Sequence, residues 1–118
     1  MEIQMREQDN VAIMSLSGRL DLASGATLKE HLKRLTEKET NQVHLNLSDV
    51  EFINSSGLGA LVSIMKEVRL LKGRLTLSNL ASYVQEIFEI TQLSHIFEIY
   101  ATEQEALATY RAVTASQE

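Results

Sequence analysis

The sequence predicts an α/β fold, a mostly parallel mixed sheet that opens with a β-hairpin and carries about four helices. Three observations predict it. Apolar residues alternate with period two in short segments, they recur at intervals of three and four in the stretches between, and the period switches repeatedly along the chain. Strands that alternate with helices need crossover connections, which make the sheet mainly parallel. The 118 residues suit one domain large enough to bury a core. No Pro/Gly/Ser-rich linker and no repeat divides them. One domain is expected over residues 1–113, followed by a polar tail over 114–118.

Ile3 and Met5 alternate with polar neighbours as a short first strand. A second follows over 11–17, with Val11 and Ile13 on one face and Ala12, Met14 and Leu16 on the other. Gln8-Asp9-Asn10 between them has turn chemistry and closes an antiparallel hairpin. Leu28, Leu32 and Leu35 then line one face of a helix, whose start falls at Ser24 or at a Thr27–Glu30 capping box. Val43, Leu45 and Leu47 alternate with His44 and Asn46 as a strand, placing His44 on its polar face.

A second helix starts near Ser55, presents Leu58, Leu61, Val62, Met65 and Val68, and stops at Gly73. Leu75 and Leu77 mark a strand. Residues 82–91 form a short helix opened by a Ser82–Gln85 capping box and buried through Val84, Ile87 and Phe88. Residues 96–100 make the last strand. Thr102 and Glu105 cap a final helix packed through Ala106, Leu107, Tyr110 and Val113. The order is β-β-α-β-α-β-α-β-α.

Composition narrows the function. Sixteen acids against eleven bases leave a net charge of −5, without the basic footprint that phosphates of a nucleic acid require. An acidic chain also has no reason to seek an anionic membrane surface. The most apolar stretch, 57–65, falls far short of the roughly twenty residues a bilayer span needs. No basic start precedes an apolar run at the N-terminus, so a cytoplasmic location is expected. Without cysteine there is no disulfide, thiolate nucleophile or zinc–thiolate site. His31, His44 and His95 have no short-spaced pairing for a metal and read as solvated or satisfied edge residues. Residues 29–39 look like a solvated, ion-paired helix face. Gly57-x-Gly59 lacks the rest of a phosphate-binding loop, and Ser55 and Ser56 do not sit in a Gly-x-Ser-x-Gly elbow. No enzyme, cofactor or metal is expected.

The informative segment is 49–61, which runs from a strand end through a loop into a helix, on the side where open α/β sheets place their sites. Asn54 is a good N-cap, putting Ser55, Ser56 and Gly57 in the first turn, where backbone N–H groups are unpaired and the helix dipole is positive. A phosphate on a serine there, with charge of about −1.5 to −2, would find amide donors. Gly57 and Gly59 are poor helix formers and suggest close approach of another backbone. The same residues also fit a plain cap with glycines easing helix–sheet packing, and the pattern alone leaves both readings open.

Three separated motifs resemble those of the STAS domain family: Gly18-Arg19-Leu20-Asp21, Leu45-Asn46-Leu47-Ser48-Asp49-Val50 and Asn54-Ser55-Ser56-Gly57-Leu58-Gly59. The resemblance implies a single STAS domain acting as an anti-sigma factor antagonist in a partner-switching pathway. Such a protein binds an anti-sigma factor that is often also a serine kinase. It is released by phosphorylation of the first hydroxyl of the motif, here Ser55, and is restored by a PP2C-type phosphatase. ATP and magnesium would belong to the kinase. Asp21, Asn54, Ser56, Gly57 and Leu58 would shape the site and the partner surface. The alternative within the family is a constitutive docking subunit of a larger complex, in lipid transport or a sensory assembly, without a phospho-switch. One departure is Asn54, where many phosphorylated members carry aspartate; asparagine still caps a helix but lowers the local negative charge. The nearest bases in sequence are Lys38 and Lys66, so no local cation is expected to offset a phosphate.

Overall fold

Five strands lie side by side in chain order: β1 (Glu2–Gln8), β2 (Val11–Leu20), β3 (Gln42–Ile53), β4 (Arg74–Ser78) and β5 (Glu98–Tyr100). The computed structural model describes the backbone of residues 1–116 and the side chains of residues 1–110. β1 runs antiparallel to β2, and every other neighbouring pair is parallel. Four helices connect or follow the strands: α1 (Leu22–Glu37), α2 (Ser55–Leu70), α3 (Ser82–Ile90) and α4 (Glu103–Ser116), with a single 3-10 turn at Leu93–His95. The predicted element order is the observed one. The hairpin turns on Asp9 and Asn10, both at positive φ (55° and 66°), which matches the right-handed twist of the flanking strands.

The alternation in the sequence becomes two covered faces. Ala12, Val43 and Leu75 align across β2, β3 and β4, as do Met14, Leu45 and Leu77. They face α1, α2 and α3 through Leu28, Leu32, Leu61, Ile64, Val68, Val84 and Phe88. Phe97 closes that core edge-on against Phe88, at 5.6 Å between centroids. The opposite face holds a smaller cluster of Val11 and Ile13 beneath Leu107 and Tyr110 of α4.

Several boundaries differ from expectation, each for a local reason. α1 starts a turn earlier. Asp21 is its N-cap, accepting the Ser24 N–H at 3.1 Å, while the Ser24 hydroxyl oxygen accepts the Asp21 N–H at 2.8 Å. Ser24 is therefore the third helical residue of a capping box and not the cap itself. β3 continues to Ile53, and the expected loop is strand with two register shifts against β2, at each of which β3 carries an extra residue. The Asn46 side chain braces the first shift by accepting the Ser48 N–H at 2.9 Å. α2 does not stop on Gly73. Lys72 takes the left-handed position (φ 60°) and donates to Arg69, and Gly73 donates to the Val68 carbonyl at 2.8 Å, closing a Schellman motif. Gly73 follows because a Cβ there would lie 2.9 Å from the Asn41 carbonyl carbon and closer still to its oxygen.

α3 starts from Ala81 with no side-chain cap, so Ser82 and Gln85 do not form the expected box. The Thr102 hydroxyl does accept the Glu105 N–H, at 3.1 Å. α4 runs on to Ser116, into the segment expected as a tail. The expected packing of Val113, and residues 117–118, lie outside what is described. His44 is neither solvated nor at an edge. β3 is central and covered on both faces, so His44 is fully buried, with Nδ1 2.7 Å from the Thr76 hydroxyl and Nε2 2.8 Å from that of Ser78. No described helix is long and apolar enough to cross a membrane.

Candidate functional site

Two helix N-termini open side by side at the C-terminal edge of the parallel strands. β2 ends at Leu20, and Asp21 caps α1; β3 ends at Ile53, and Asn54 caps α2. Leu20 and Ile53 are partners in the ladder, so the caps are neighbours. The Asn54 N–H reaches the Leu20 carbonyl at 3.3 Å. Gly57 is buried against that same carbonyl, where a Cβ would come within 2.7 Å of the carbon and closer to the oxygen. The two helices also meet through Gly25, whose Cβ would stand 2.6 Å from that of Ala60. The expectation of a closely approaching backbone therefore holds for Gly57. It fails for Gly59, which is exposed with nothing within 4 Å of an added Cβ.

Asn54 is extended (φ −116°), and its side-chain oxygen accepts the Gly57 N–H at 2.9 Å. Its carbonyl takes the Leu58 N–H at 2.9 Å. That leaves the amides of Ser55 and Ser56 for water or an incoming anion. Both serines are exposed, and among the described residues the Ser55 hydroxyl has no hydrogen-bond partner. Leu58 is half-buried and packs against the main core. Asn54→Ala is expected to cost about 1 kcal/mol and lower Tm by roughly 4 °C, while Asn54→Asp leaves it almost unchanged; a thermal melt of the two variants checks this.

The Asp21 carboxylate is held below its ordinary pKa, first by the Ser24 N–H, then by the Ser24 hydroxyl; Arg19 adds to this, and desolvation opposes it. Asp21 therefore stays ionised beside the site. Arg19 is a cation near Asp21. It pairs with Phe52 in the β2–β3 ladder, and its guanidinium lies 3.9 Å over the Phe52 ring, two residues before Asn54. Sequence distance hid it, because strand pairing brings residue 19 to residue 52. Leu22 was also missed. It is 74% exposed at the first position of α1, and the available signal was an apolar residue off the Leu28–Leu32–Leu35 stripe. The site thus combines an unpartnered serine hydroxyl, two open amides, an ionised carboxylate with Arg19 near it, and an exposed leucine. His31 is engaged with the Thr27 carbonyl, and His44 with the Thr76 and Ser78 hydroxyls.

A family model, the STAS domain, matches residues 2–106. The chain is 33% identical over 105 residues to the anti-sigma-B factor antagonist of Listeria monocytogenes, covering 89% of this chain and 91% of that one. A Thermotoga maritima crystal structure superposes with a TM-score of 0.87 at 29% identity, covering 92% of this chain and 94% of that one. The Bacillus cell fate determinant SpoIIAA in its phosphorylated form shares the fold at a TM-score of 0.72 and 22% identity, covering 92% and 99%.

Proposed function

The chain belongs to the STAS domain family, and from that membership we propose that it works as an anti-sigma factor antagonist whose partner binding is switched at Ser55. Unphosphorylated, it binds an anti-sigma factor that is also a serine kinase; phosphorylated, it lets go, and a PP2C-type phosphatase resets it. It does this in the cytoplasm and carries out no reaction of its own. The observation that carries this reading is the position of Ser55: first in α2, exposed, unpartnered, with the Asn54 cap satisfying Gly57 and leaving the other first-turn amides open. The partner surface is the pair of helix starts, with Leu22 and the exposed side of α2 supplying contact area around Ser55, Ser56 and Asp21.

A tagged pull-down from the native host tests it, comparing Ser55→Ala with Ser55→Asp by mass spectrometry. The switch requires a serine kinase or anti-sigma factor that the alanine form retains and the aspartate form loses. If both forms retain the same proteins and no kinase is among them, the chain is a constitutive docking subunit instead.

A further inference from the structure

α4 is fastened differently from the other helices. α1, α2 and α3 rest on the large apolar cluster, whereas among the described residues α4 covers Val11 and Ile13 through Leu107 and Tyr110. Polar contacts add to this. Glu103, its first residue, pairs with Arg6 of β1 and accepts from the Asn46 side chain of β3 at 3.1 Å. Thr109 accepts from Arg74 of β4 at 2.9 Å, and the Arg74 guanidinium stands 4.4 Å over the Tyr110 ring.

The centre of this interface is a directed chain of hydrogen bonds. The Tyr110 hydroxyl donates its one proton to the Val43 carbonyl at 2.9 Å, so its oxygen accepts from Thr76 at 3.1 Å. Thr76, having given its proton to Tyr110, accepts from His44 Nδ1 at 2.7 Å. In the neutral ring Nε2 is unprotonated and accepts from Ser78 at 2.8 Å. The chain fixes a proton on Nδ1, and burial favours the neutral ring, in which Nε2 is the acceptor.

We propose that this chain makes α4 a proton-released clasp, in which protonation of His44 at Nε2 frees α4 from the sheet while the five strands and α1–α3 stay folded. The added proton makes Nε2 a donor, so the Ser78 hydroxyl must reverse and accept from it, and the new charge sits where no water reaches. The charged groups facing it do not cancel that cost. Glu103 of α4 favours the imidazolium, Arg6 of β1 opposes it, and Arg74 of β4 adds a second positive charge behind Tyr110. Tyr110 itself stays neutral, its pKa pushed up to about 12 chiefly by burial. Burial dominates at His44 too and lowers its pKa from 6.5 to about 4. With the folded value depressed, the closed state has its full advantage above pH 6.5 and loses it as pH falls towards 4. The closed-to-open ratio of α4 should drop on the order of 100-fold across that window.

Hydrogen exchange of the whole chain at pH 7, 5.5 and 4.5, corrected for intrinsic rates, tests the clasp. Amides of residues 106–110 should lose protection on acidification while those of 61–68 in α2 keep theirs, and His44→Gln should remove the pH dependence. Nitrogen NMR of the wild-type imidazole gives a second measurement that needs no variant: an Nδ1–H signature at pH 7 and a titration that coincides with the loss in α4. Simultaneous loss in α2 and α4, an Nε2–H signature, or titration of His44 with α4 still protected would each overturn the proposal.

Discussion

Gly57→Ala should destabilise the fold by about 2–3 kcal/mol, while Gly59→Ala, two residues along the same helix, should stabilise it by roughly 0.5–1 kcal/mol. Both changes improve helix propensity by about the same amount, so the sign is set by what the new methyl group meets. At Gly57 it meets the Leu20 carbonyl, with 2.7 Å to the carbon. That is backbone and cannot rotate aside. Either α2 lifts off β2 or its first turn opens, and in both cases the Asn54–Leu20 bond is strained as well. At Gly59 the methyl group points into open space. Urea midpoints of the two variants measure the difference. An unchanged midpoint for Gly57→Ala would mean that the helix start is not seated against Leu20 as described. Since Gly57 sets where Ser55 stands, the same variant should also impair partner binding more than its stability loss explains.

The sequence carried the fold well because each strand and helix had its own periodicity. Val11 and Ile13 do face away from Ala12, Met14 and Leu16, and the two sets fall into separate clusters. Asn54 was legible as a cap because its side chain acts on a residue three positions away. What was hidden depended on pairing between strands. Arg19 reaches Phe52 through the ladder, and His44 is buried because β3 lies between two covered faces. Neither fact has a local signature. The α1 start was misplaced for a subtler reason: Asp21 and Ser24 are both good caps, and only the backbone at Leu20, still in the strand, decides which one serves. The extra residues in β3 look like loop chemistry in sequence, yet bulges let Ser48, Asp49 and Glu51 remain within the strand.

A phosphate on Ser55 should weaken partner binding by tens to thousands of fold without destabilising the protein that carries it. In the unbound chain the phosphate sits at an exposed first helical position, facing the open amides of Ser55 and Ser56, where a negative charge gains about 0.3–1 kcal/mol from the helix dipole. Tm should hold or rise slightly. In the proposed complex that surface would be covered, and a buried, unpaired charge costs about 2–5 kcal/mol, with each 1.4 kcal/mol worth tenfold in affinity. If the Arg19 guanidinium reaches the phosphate, it softens this only in part. It carries one positive charge against nearly two negative ones, it already lies beside the ionised Asp21, and leaving the Phe52 ring would forfeit a contact worth about 0.5–1 kcal/mol. In that case Arg19→Ala should deepen the loss caused by the phosphate more than it affects binding of the unmodified chain. Calorimetric titration of the captured partner, with and without phosphoserine at position 55 in both backgrounds, measures that coupling. If the phosphorylated chain binds weakly but also melts several degrees lower, unfolding would explain the release. Equal affinity in both states would instead leave Ser55 as a capping-turn residue and the surface as a permanent dock.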